Sequence, residues 1–311
     1  MKKIIFILAF LPVLCSAQQH GIIASSRPSA AAFEGLLDDV PNAGIAFGVR
    51  RLNSAYTGPL IRIKRLSDGT ESDINASGED LDEAAINSFC SGTTCYVAKA
   101  YDQSGNGFDA IGKGYSAMSD LPIIYESGAI VTLNGKPAFK ITHPRTFQWT
   151  QADADIGDFI SGGASGTNKK TTVHMVGQQG TGASDPYKII VESNDGGSEI
   201  LWCYQSSGAE RIEFDNTSAS SGTTFADGAQ KQWIWKVDGT TFSWHENGTQ
   251  LATSDNNSIQ APGTTGVVFN IGGLGFSTRN MEGFIQEVVI WKTAETVSTI
   301  FNNADAFYGI P

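Results

Sequence analysis

The acidic residues with a spacing suited to acid–base chemistry cluster in the second half of this chain. In "ERIEFD", Glu213 and Asp215 stand two apart, which puts both on one face of a strand. Glu192 in "IIVESNDG" and Glu287 in "MEGFIQEVVIW" occupy similar alternating runs. Two carboxyls flanking a bond between sugars can protonate the leaving oxygen and attack the ring carbon, and a retaining pair stands about 5 Å apart. Acidic residues also alternate with apolar ones wherever one strand face is wet, so the pattern has a plain reading as well.

Aromatic side chains offer a second chemistry, because sugar faces stack on rings. Trp202 and Tyr204 share a face, as do Trp233 and Trp235, and each set either lines a groove or packs a core. Trp149, in "RTFQWTQ", lies in a less regular stretch and is the ring expected to be exposed. The segment "YDQSGNGFDA", Tyr101 to Ala110, gathers a ring, two Asp, a Gln and an Asn around two glycines. Asp102 and Asn106 are expected to bond their own turn, with Gly105 and Gly107 supplying positive-φ bends.

Metal and cofactor signals are weak. His20, His143, His174 and His245 have no spacing for a shared site, and His174 reads as a structural mid-strand histidine. No cofactor is expected; a structural calcium would suit a lectin-like sandwich, but no Asp-rich loop of defined spacing marks it. Cys90 and Cys95 enclose "SGTT" and are expected to form a local disulfide, while Cys203 in "EILWCYQ" reads as a buried free thiol.

These residues must be held by strands. "IAFGVR", "LIRIKR", "CYVAKAY", "AIVTL" and "PAFKI" come first, the last two joined by an "NGK" turn. "TTVHMVGQ", "YKIIVES", "EILWCYQ", "ERIEFD" and "TGVVFNIGG" follow with alternating character. In "WKVDGTTFSWHENGTQL", Asp238-Gly239 and Asn247-Gly248 are preferred hairpin turns, so a meander is expected. Two short helices are expected: "DLDEAAINSF" with Asp80 as N-cap, and a C-terminal one carrying Val297, Ile300, Phe301 and Phe307. The expected fold is all-β, an antiparallel jelly-roll sandwich.

The N-terminus, "MKKIIFILAFLPVLCSA", has the layout of a secretory signal over residues 1–17, followed by a lead-in over 18–43 and the domain over 44–311. Export would leave about 294 residues with a net charge near −13, since Lys2 and Lys3 leave a chain of net charge −11. Such a surface disfavours nucleic acid, and no stretch is long enough to span a membrane.

From Gly44 to Asp109 the runs "RRLNSAYTGPLIRIKRLSDGTESDI" and "NSFCSGTTCYVAKAYDQSGNGFDA", then "VTLNGKPAF", resemble the N-terminal part of the catalytic domain of arabinofuranosidase B-type α-L-arabinofuranosidases. The C-terminal half looks like a concanavalin A-like or laminin-G-like jelly roll. The resemblance implies a secreted carbohydrate-related domain, with arabinofuranose-bearing polysaccharide as partner. Two departures stand against activity. The family's adjacent cysteines are missing, and the acid carboxylate that follows a glycine pair is replaced, in "NIGGLGFST", by Leu274. Glu192 is the nearest counterpart of the nucleophile. The first expectation is therefore a lectin-like or degenerate carbohydrate-binding domain; an active glycoside hydrolase comes second and a structural or adhesion domain third.

Overall fold

The computed structural model describes residues 33–311 apart from 113–117, 143–144, 150–169, 181–186, 194–198, 207–208, 215–216, 225–227, 256–266 and 274–280. The expected leader, most of the expected lead-in, Asp215 and Leu274 thus lie outside the described residues.

Strands dominate, and their registers trace two antiparallel sheets. The first runs, neighbour to neighbour, through Glu71–Ile74, Ile61–Arg65, Cys95–Ala100, Ala110–Gly112, Phe147–Trp149, Val267–Ile271, Tyr187–Ser193, Glu199–Ser206, Ala209–Phe214 and Thr217–Thr224. The second is built on Gly283–Trp291, which pairs with Ala43–Gly48 and Phe139–Ile141 on one edge and Lys170–Gln178 on the other. It continues through Gln230–Asp238, Thr241–Glu246 and Thr249–Asp255. Ile123–Glu126 pairs with both Phe139–Ile141 and Cys95–Ala100, joining the sheets at one corner.

The inner faces meet in one apolar core. Phe47 from the second sheet stands 5.7 Å from Phe147 of the first, and Phe139 meets the same ring edge-on at 5.3 Å. Along the first sheet a row of directly opposed residues, Phe147, Ile271, Ile189, Cys203, Ile212 and Ala219, is buried throughout. Paired residues point to the same side of a sheet, so this row fixes which face is inside.

The two outer faces differ. That of the second sheet is covered: Ala46, Ile234, Val289 and Trp291 pack against Leu36, Leu37 and Val40 and against Ile300 of the C-terminal helix Val297–Tyr308. Its central strands are accordingly buried almost without alternation, as in Ala43–Gly48 and Gly283–Trp291, whereas Thr249–Asp255 at its edge is largely exposed. On the first sheet Ile61–Arg65 alternates, with Arg62 and Lys64 outward. No described helix is long and apolar enough to cross a membrane.

Local chemistry explains the turns. Asn134 and Asn247 take positive φ ahead of Gly135 and Gly248, and both pairs close the expected hairpins. The first expected helix is corrected: it spans Glu83–Phe89 and is capped by Asp82, whose carboxylate accepts from Ala85 N at 2.9 Å. Asp80 belongs instead to a small strand pair and bonds Lys136 at 2.7 Å. In the C-terminal helix the buried side chains are Ile300, Ala304 and Tyr308, four apart, rather than Val297, Phe301 and Phe307. Cys90 and Cys95 form the disulfide, and Cys203 is free and buried, with burial pushing its thiol well up.

The segment "YDQSGNGFDA" is a clip rather than a self-contained turn. Gly105 and Gly107 do adopt positive φ, at 90° and 79°. Asp102, however, reaches beyond its turn: one oxygen accepts from Ala46 N at 2.9 Å and Ser104 N at 3.0 Å, the other from Ser104 Oγ at 2.7 Å and Phe108 N at 3.1 Å. Asn106 donates to the carbonyls of Ala43 and Gly44, and Gln103 accepts from Leu52 N and donates to Arg50 O. The motif thus fastens the N-terminal strand of the second sheet to the first. Asp102→Ala is expected to cost about 2 kcal/mol, because buried amides lose their acceptor. An unchanged urea midpoint would contradict that assignment.

Candidate active site

The face of the first sheet turned away from the Phe147 row carries a cross-strand row of mixed polar and apolar residues, with Asn270 buried within it. Reading the registers from one edge, Asp73, Arg62, Lys99, Ile111, Gln148, Asn270, Ile190, Trp202, Glu213 and Ser218 stand opposite one another in turn. The row lies on the side opposite the buried Phe147-to-Ala219 row, one residue out of phase with it.

Glu213 is the member best suited to acid chemistry. It is half-buried and accepts a 3.0 Å hydrogen bond from Tyr204 Oη. Burial pushes its carboxyl above the usual range, although Tyr204 and the charge of Arg211 pull the other way. A glutamic acid that keeps its proton toward neutral pH can give it to a leaving oxygen. Tyr204 itself is 8% exposed, so its ring is covered and its hydroxyl, not its face, is what it brings.

Other expected residues fall around this point. Trp202 is directly opposite Glu213 on the neighbouring strand. Glu192 lies two residues beyond Ile190 on the next strand, which puts its Cα roughly 12 Å from that of Glu213 by strand spacing and rise. Asp215, just past the strand end at Phe214, lies outside the described residues. Trp149 is not in irregular structure; it ends a strand, opposite Phe269. Trp233 and Trp235 are 3% and 1% exposed and stack in the core at 6.4 Å.

Glu287 is no free carboxylate. It is fully buried in the second sheet, where Arg50 donates to it at 2.7 and 3.2 Å and Tyr308 Oη donates at 3.0 Å. His174 Nε2 meets the same carboxylate at 3.0 Å, and Gln232 Nε2 approaches His174 Nδ1 at 3.3 Å. Those partners assign the His174 proton to Nε2 and its role to structure. Burial alone would raise the Glu287 pKa, but the charge of Arg50, with His174, brings it down to about 2.

A second buried pair escaped the sequence reading. Lys188 and Glu210 form an ion pair between the sheets, with Lys188 Nζ 5.2 Å from the Trp233 ring centroid and 6.0 Å from that of Trp235. A bulge between Tyr187 and Ile189 breaks the alternation at Lys188, whereas Glu210, two residues from the buried Ile212, follows it inward. Among the described residues no group of three or more His, Cys, Asp or Glu could hold a metal ion.

Comparison with known proteins supplies the lineage. Residues 39–176 match the sequence profile of the family described as "Alpha-L-arabinofuranosidase B, catalytic". The alpha-L-arabinofuranosidase B of Emericella nidulans is 41% identical over 100 residues, which are 30% of this chain and 20% of that protein. The alpha-L-arabinofuranosidase of Hypocrea jecorina is 40% identical over 99 residues, with the same shares. The chain spans only about a fifth of the length of these curated relatives. In three dimensions it resembles a GH54 α-L-arabinofuranosidase soaked with a cyclic sulfate inhibitor, at TM-score 0.64 and 18% identity over 84% of this chain and 62% of that one. An arabinofuranosidase complexed with arabinofuranosyl-α-1,2-xylobiose gives TM-score 0.63 at the same identity and coverage. These structures share its fold.

The expectation of a lectin-like or degenerate domain is thereby overturned: the matched profile is that of a catalytic domain, and the relatives are hydrolases. Leu274 lies beyond the stretch that matches the profile. Residues 39–176 are related to the catalytic domain of α-L-arabinofuranosidase B.

Proposed function

We propose that this protein is a secreted α-L-arabinofuranosidase, a glycoside hydrolase that removes arabinofuranose from polysaccharide side chains. The catalytic-domain match over residues 39–176 carries the reading. A solved relative in complex with arabinofuranosyl-α-1,2-xylobiose supports an arabinose-bearing xylan or arabinan as the substrate class. The signal-like pattern of residues 1–17 supports export, and the paired antiparallel sheets support a concanavalin A-like jelly roll.

In this reading Glu213, its pKa raised by burial, gives its proton to the leaving oxygen, and Tyr204 holds the carboxyl in place. Glu192 is the candidate nucleophile, and Trp202, opposite Glu213, the candidate sugar platform. Purified protein is expected to release 4-nitrophenol from 4-nitrophenyl α-L-arabinofuranoside. No release across pH 4 to 7 by folded protein would refute the hydrolase.

A further inference from the structure

The ring of the "YDQSGNG" motif has no part in the clip that the rest of the motif makes. Tyr101 follows the strand Cys95–Ala100 and is partly exposed on the outer face of the first sheet. Its hydroxyl donates to Asp73 Oδ1 at 2.7 Å. Arg62 grips the same carboxylate with two bonds, Nε at 2.7 Å and a terminal nitrogen at 2.9 Å. On the neighbouring strand Lys99 Nζ bonds Asp109 at 2.9 Å. The Lys99 ammonium stands 5.0 Å, and the Arg62 guanidinium 5.9 Å, from the ring centroid.

We propose that Tyr101, with Arg62, Asp73, Lys99 and Asp109, is a binding platform for the main chain of a neutral polysaccharide, at the far end of the row that carries Glu213. The proposal rests on this face being the one that meets polysaccharide.

Three observations converge on it. Sugars are bound by a ring beside planar donor and acceptor groups that pair with neighbouring hydroxyls, and Arg62 and Asp73, 36% and 40% exposed, present both next to Tyr101. Their mutual bonds fix the side chains before any ligand arrives, so little rotamer entropy is lost on binding. Two cations and two carboxylates cancel, which suits an uncharged glycan and gives neither a polyanion nor an acidic sugar an advantage.

The registers also set the span. Lys99 and Glu213 lie on one cross-strand row, six strand steps apart, or about 29 Å at the usual spacing. Only an extended chain reaches both ends. The platform therefore holds polymer rather than the sugar being cleaved.

Native electrophoresis through gels containing linear arabinan or arabinoxylan tests the platform without requiring hydrolysis. Wild-type protein should be retarded, and Tyr101→Ala should weaken the affinity about three- to tenfold. Arg62→Met, a surface change, should weaken it as well and serves if Tyr101→Ala does not fold. Equal retardation of wild type and both variants, or none for wild type in either gel, overturns the proposal. Stronger retardation by polygalacturonate than by the neutral polymers overturns the ligand class. Loss of retardation in the variants, with no cleavage of the 4-nitrophenyl substrate by wild type, would leave the platform standing and the hydrolase reading refuted.

Discussion

Glu287→Ala is expected to lower folding stability by about 3–5 kcal/mol, because it strands the buried Arg50 guanidinium without its counter-charge. The melting temperature should then fall by on the order of 10 °C. Arg50 is 1% exposed and spans the fold: it ties Glu287 in the second sheet to Glu79 at 3.1 Å and to Asn303 of the C-terminal helix at 2.9 Å. Tyr308 joins the same carboxylate from that helix. The carboxylate thus bolts the helix onto the second sheet. Its folded pKa of about 2 lies below its ordinary value of 4.5, so the charged form is favoured by folding. That contribution is complete above pH 4.5 and is lost as the pH falls toward 2; it amounts to about 3 kcal/mol. Calorimetry at pH 6 and pH 3 on wild type and Glu287→Gln reads both effects. Wild-type stability should drop more than that of the variant between the two pH values, and parallel losses would show that the ion pair does not set the acid limit.

What the sequence revealed was what depends on near neighbours. Asn247-Gly248 dictates a tight turn from two residues, and alternation in "YKIIVES" and "EILWCYQ" marks strands whatever lies around them. Thr217–Thr224, "TSASSGTT", was missed because small polar residues carry no alternation, and it is held as a strand by its pairing with Ala209–Phe214. Arg50 and Glu287 are 237 residues apart, and nothing local to either shows that they meet. Asp80 and Asp82 compete for one helix cap, and the choice was made by a strand pair and by Lys136, both invisible to a capping rule. The same limit applies at the site. The sequence named Glu213 and Trp202, but only the register shows that they stand opposite each other, and only packing explains why the Glu213 pKa is raised.

The role of Glu213 can be separated from that of any other carboxylate by the leaving group. A general acid matters in proportion to the basicity of the oxygen it protonates. Glu213→Gln keeps the shape and the Tyr204 contact but cannot give up a proton, so on arabinoxylan, whose leaving group is a sugar hydroxyl, kcat should fall about 10²- to 10⁴-fold. On 4-nitrophenyl α-L-arabinofuranoside, whose leaving phenolate needs little help, the loss should be far smaller. Glu192→Gln, if that residue is the nucleophile, should depress both substrates alike, because bond formation at the ring carbon is common to them. The pH profile adds a second reading. Burial raises the Glu213 pKa, so the alkaline limb of kcat/KM on the polymer should lie above the ordinary glutamate range and vanish in Glu213→Gln. Tyr204→Phe removes the hydrogen bond that favours the charged carboxylate, which should move that limb to still higher pH. Equal losses on both substrates together with an unmoved alkaline limb would assign the acid to another residue, with Asp215, the other carboxylate of "ERIEFD", the first to examine.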